Sequence, residues 1–132
     1  MRLPVILVQH PPASGAALAD ALVGNLIGRA GLDLTLVDRF ESITDDSTDR
    51  MTLDGITVPS AVLDWQSPEV ILESLSAIGF DGVRCPHRLD QDAIQRHGRR
   101  LFLFDLTRFD QANSIIAELD RLKDSLAVKT FS

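Results

Sequence analysis

The sequence predicts a three-layer α/β fold: a doubly wound sheet of five parallel strands with helices on both faces. Three observations predict it. Five short apolar runs are separated by segments whose apolar residues recur at helical spacing. The first run, Leu3 to Gln9, is unbroken rather than alternating, as a strand covered on both faces requires. Regular alternation of strand and helix calls for βαβ units with right-handed crossovers.

In chain order, Leu3 to Gln9 is the first strand. Ser14 is read as the N-cap of a helix reaching about Ala30, with Gly31 as its stop. Leu18, Leu22 and Leu26, with Val23 and Ile27, give that helix a broad buried stripe. LDLTLVDRF, residues 32–40, is a second strand ending near Asp38. Glu41 to Asp54 is polar and acidic and reads as a loop with at most a short helix, followed by a small hairpin at Asp54-Gly55. SAVLDW, residues 60–65, is the third strand. Ser67-Pro68-Glu69 combines a cap, a proline at the first helical position and an acid in the first turn. Ile71, Leu72, Leu75 and Ile78 carry that helix's buried face, and Gly79 ends it. FDGVRCP, residues 80–86, is a short fourth strand, and Asp90 opens a short helix closing at His97-Gly98. RLFLFDL, residues 100–106, is the fifth strand. Thr107 opens a last helix in which Ala112, Ile115, Ile116, Leu119, Leu122 and Leu126 share one face.

The economical arrangement is the flavodoxin-like order 2-1-3-4-5, with a Rossmann-like variant of different strand order as the alternative. The 132 residues suit a single domain with a real core. A formal net charge of −6 argues against a nucleic-acid or anionic-membrane surface, which needs clustered Lys and Arg. No Tyr and one Trp give no stacking platform for single strands. The single cysteine, Cys85, excludes an internal disulfide and suits a reducing cytoplasm. The apolar run Leu3 to Val8 is too short for a signal peptide and is cut off by Pro11 and Pro12. No segment reaches the about 20 apolar residues of a membrane span.

The first loop invites comparison with a phosphate loop, G-x-x-x-x-G-K-[ST]. Aligned on Gly15, residues 10–17 read HPPASGAA. His10 replaces the first glycine, Ala16 the lysine and Ala17 the hydroxyl residue, so neither phosphate charge nor magnesium is provided for. The small residues are expected instead to seat the helix close to the sheet.

In an open parallel sheet, ligands bind beyond the carboxyl ends of the strands. The polar residues expected there are His10, Asp38, Asp64, Cys85, His87 and Asp105, with Ser14 and Gly15 at the first helix start. In 2-1-3-4-5 order, His10, Asp64 and Cys85/His87 would stand on adjacent strands around the switch point. A histidine beside a carboxylate makes an acid–base or phosphotransfer pair, so His10 and Asp64 are the catalytic candidates. The competing reading is that Asp64 and Asp105 serve the turns that follow them. Cys85, His87 and His10 do not make a zinc set, because Cys-Pro-His puts two ligands one residue apart. Trp65, Phe102 and Phe104 read as core or interface, and the acidic loop lacks the calcium-loop pattern. No cofactor or metal is expected.

AVLDW, ending strand three in Asp64, together with the element order, resembles response-regulator receiver domains. The resemblance implies a phosphorylated aspartate at Asp64, an acidic magnesium-binding pair after strand one, a Thr or Ser after strand four and a lysine after strand five. Those positions here are Gln9-His10, Cys85 and Asp105, so the resemblance is to a degenerate form that acts by binding. His10 directly after strand one and DWQSP, residues 64–68, also resemble the mannose-type IIA phosphocarrier domains of the bacterial sugar phosphotransferase system, which implies a phosphorylated His10. The paired glycines of that family's turn are absent.

The leading expectation is a small cytoplasmic signal-transduction module that binds another protein or a second copy of itself, the last helix and strand five forming the partner face. The alternative is a phosphotransfer or small-molecule enzyme using His10 assisted by Asp64.

Overall fold

A computed structural model of the chain describes residues 2–93 and 98–128. Its five strands are β1 (Leu3–Val8), β2 (Leu32–Val37), β3 (Ser60–Asp64), β4 (Val83–Arg84) and β5 (Arg100–Asp105). They form one parallel sheet in the order β2-β1-β3-β5-β4. The α-helices are α1 (Ala16–Leu26), α2 (Thr48–Asp54), α3 (Pro68–Ala77) and α4 (Asn113–Val128). α1 and α4 cover one face, where Leu18, Leu22, Ile115 and Leu119 meet Val5, Leu7 and Phe104. α3 and the turns around α2 cover the other, where Phe40, Leu53, Ile71 and Leu75 meet Ile6, Val62 and Leu103. The doubly wound α/β class read from the sequence is the one observed.

The order departs from 2-1-3-4-5 by exchanging the last two strands. β5 is buried from Leu101 to Asp105 and pairs directly with β3. β4 is two half-buried residues between Gly82 and Pro86. A strand that short and that wet belongs at an edge, and the long apolar β5 takes the interior slot.

Five local expectations are corrected. The chain makes a 3-10 turn at Ala13–Gly15 before α1, so Ser14 lies inside the turn and caps nothing. α1 stops at Leu26 rather than Ala30, because Gly28 already takes a left-handed φ of 73°, with Gly31 following at 79°. The acidic segment folds more than expected: Ser47 accepts from Arg50 N–H to cap α2, and Gly55 ends that helix instead of turning a hairpin. Leu106–Arg108 is a 3-10 turn capped by Asp105, and α4 opens only at Asn113, not at Thr107. Asp90 starts no helix: it closes a bridge to His87 and is followed by a turn at residues 91–92, while residues 94–97 of that predicted helix lie outside the described residues. By contrast Ser67 caps α3 as expected, accepting from Val70 N–H at 3.4 Å, with Pro68 in the first turn.

The apolar stripe of α4, expected with strand five to form the partner face, packs into the chain's own core, and β5 lies inside the sheet. No helix among the described residues is long and apolar enough to cross a membrane.

Candidate functional site at the carboxyl edge

After β1 the chain runs to α1 on one face, and after β3 to α3 on the other. This opposite departure opens a crevice between the two strand ends. The cleft there encloses about 350 Å³ and is lined by His10, Arg39, Glu41, Asp64, Trp65 and Gln66 among others.

Asp64 forms its floor. It ends β3, is 2 % exposed, and has both oxygens occupied within its own loop. Oδ1 accepts the Trp65 backbone N–H at 2.6 Å, and Oδ2 accepts the Gln66 side-chain amide at 2.8 Å. Burial pushes this carboxyl above the usual aspartate range, and the nearby negative charges of Glu41 and Asp105 push the same way. The two loop hydrogen bonds oppose the shift without cancelling it.

His10 stands at the rim with a φ of 65°, the only non-glycine residue at positive φ among those described. Histidine is among the residue types enriched in that region. The turn carries the imidazole toward β2, where Nε2 lies 3.2 Å from Asp38 Oδ1, both side chains about half exposed. Asp38 also accepts the Arg39 N–H at 2.8 Å. The cleft therefore holds both His10 and Asp64, but the carboxylate beside the imidazole is that of Asp38.

Trp65 ties the site together. Its indole N–H donates to Val8 O at 3.1 Å, joining the loop after β3 to the end of β1. The ring lies over Gly15, where a Cβ would stand 2.5 Å from Cζ3. The small residues after β1 thus make room for an indole.

The remaining predicted edge residues divide. Asp105 stands opposite Asp64 in the ladder, in the place expected for Cys85 and His87. It accepts from the Thr107 backbone N–H at 3.0 Å and from the Thr107 hydroxyl, and it meets Arg108 at 3.4 Å, so its bonds serve the turn. Cys85 and His87 follow the edge strand and are buried against the α4 side of the sheet. His87 Nε2–H donates to Leu103 O at 2.9 Å, and Nδ1 accepts Leu89 N–H at 3.2 Å while lying 3.2 Å from Glu118 Oε2. Burial holds the His87 pKa below its usual value, against the pull of Leu103 O and Glu118. Among the described residues no three His, Cys, Asp or Glu side chains converge as metal donors.

Sequence reasoning missed Arg39, Glu41 and Gln66. The available signal was position: Arg39 and Glu41 flank Phe40 directly after the second apolar run, and Gln66 follows Asp64-Trp65. Comparison with protein-family models, with curated proteins and with solved structures finds no match for the chain. Fold and site together define an open α/β domain with a polar cleft at the β1/β3 switch point.

Proposed function

We propose that this chain is a cytoplasmic regulatory domain, similar to a receiver without phosphoryl chemistry, that works by binding at the cleft beyond β1 and β3. One observation carries this reading: Asp64, in the position of a phosphoacceptor, is buried with both oxygens engaged by its own loop. A nucleophilic carboxylate needs an exposed, ionised oxygen, and desolvation favours the neutral acid. The partner is another protein or a second copy of this chain. The carboxyl edge is the surface offered to it, because the apolar stripe of α4 is spent on the internal core.

A second reading, phosphotransfer through His10, is favoured by the Asp38 oxygen 3.2 Å from its Nε2, since a carboxylate orients an imidazole and stabilises its cation. Incubation with acetyl phosphate and magnesium, then with phosphoramidate, followed by intact mass measurement separates the two. The binding reading expects no added phosphoryl group. A stoichiometric adduct lost in Asp64→Asn or in His10→Ala would replace it.

A further inference from the structure

We infer that the cleft between β1 and β3 accepts a small zwitterion of the α-amino-acid class, its carboxylate on Arg39 and its ammonium on Glu41. This rests on reading the cleft as a binding site.

The lining itself carries the inference. Arg39 and Glu41 both line the cleft, two positions apart in the chain. Among the described residues neither side chain has a hydrogen-bond or ion-pair partner, and they do not pair with each other. Between them Phe40 is fully buried in the second core and fixes the 3-10 turn Phe40–Ser42. The backbone under the two charges is therefore anchored, while the Arg39 and Glu41 side chains themselves are exposed and unpaired with each other. Glu41 and Asp64 line the same cleft.

The mixed signs select the ligand. A simple anion would meet Arg39 but also the like charge of Glu41. A simple cation would meet Glu41 and leave Arg39 opposed to it. A molecule bearing both charges gives each side chain a charge-assisted bond, the stronger class of hydrogen bond. About 350 Å³ is at the lower end of the ~300–1,000 Å³ typical of small-molecule sites, which suits an amino acid better than a nucleotide. Trp65 and Pro11 supply an apolar wall for its side chain.

Trp65 is the only tryptophan in the chain, so its indole N–H gives one NMR signal that reports the cleft directly. Each standard L-amino acid is titrated separately into the folded protein. At least one should move that signal saturably. Its decarboxylated amine and its deaminated acid should each bind about tenfold or more weakly. In Arg39→Gln the amine should bind as well as the amino acid, and in Glu41→Gln the acid should. These losses of preference are readouts that damage to the fold would not produce. Equal binding of the amine or the acid to the unaltered protein, or a Trp65 signal that no amino acid moves, would overturn the inference. A silent Trp65 with unchanged mass under phosphodonors removes the ligand class and leaves the binding reading standing. A phosphoryl adduct removes that reading, and this inference with it.

Discussion

The indole N–H of Trp65 reaches Val8 O across 3.1 Å, so one side chain from the β3 loop closes the end of β1 and roofs Gly15. Gly15→Ala would set a methyl 2.5 Å from Trp65 Cζ3 and force the ring or the 3-10 turn to move. Overpacking of this kind costs about 1–3 kcal/mol. Trp65→Phe, which removes the donor and shortens the ring system, should cost about 1 kcal/mol for the hydrogen bond alone. In urea unfolding the double variant should be more stable than the sum of the two losses predicts. Strict additivity would mean the ring and Gly15 do not touch.

Asp64 should oppose stability at neutral pH. Its folded carboxyl titrates above the unfolded value, chiefly through burial and then through Glu41 and Asp105. Its favourable contribution is therefore complete below the unfolded value of about 3.9 and is lost as pH rises through the raised folded value. Asp64→Asn keeps an oxygen for the Trp65 N–H and carries no charge. Its melting temperature relative to the unaltered protein should rise as pH climbs above about 3.9 and level off once pH passes the raised folded value. A relative fall over that range would show an aspartate stabilised as its anion.

His87 has the opposite dependence. Burial depresses its folded pKa, so its contribution is present above the unfolded value of about 6.5 and is lost as pH falls toward the depressed folded value. The urea midpoint should drop as pH falls below 6.5. Ring nitrogen shifts at pH 7 should show the neutral form with the proton on Nε2, as the bond to Leu103 O requires. Glu118→Gln removes the carboxylate 3.2 Å from Nδ1 and should lower the His87 pKa further. It also strips Arg121 and the Arg88 N–H of their charged partner, at a cost of about 1–3 kcal/mol. A His87 titrating above 6.5 would contradict the buried arrangement.

His10 tests backbone strain. At φ 65° an alanine carries the left-handed cost and a glycine does not. The half-exposed contact with Asp38 contributes little, within about 1 kcal/mol. His10→Gly should stay near the stability of the unaltered protein, with His10→Ala about 1 kcal/mol below His10→Gly in denaturant unfolding. Alanine equal to glycine would place His10 in ordinary extended backbone.

The parts of the fold legible in the sequence were those with one strong physical cause. Unbroken apolar runs marked β1, β3 and β5, and Ser67-Pro68 marked α3. Strand order was not legible, because it depended on how little of FDGVRCP pairs. Between Gly82 and Pro86 only the two residues Val83 and Arg84 form strand, which is enough for an edge and not for the interior. α2 had its signal in Ser47, hidden by the acidic composition around it. At the site, the carboxyl edge and its residues His10, Asp38 and Asp64 could be listed from strand ends. Which carboxylate faces His10 depended on a left-handed turn that carries no signature beyond the residue itself. Arg39 and Glu41 are surface charges, and only the buried Phe40 between them shows that they sit at the rim of the cleft.

The central claim is that Asp64 anchors its loop and offers no oxygen to an incoming phosphoryl group. Beryllofluoride, which bonds to an accessible aspartate oxygen beside magnesium as a phosphoryl mimic, probes that oxygen directly by ¹⁹F NMR. With excess magnesium the account predicts resonances of the free fluoride species alone. Protein-bound resonances that vanish in Asp64→Asn would contradict it.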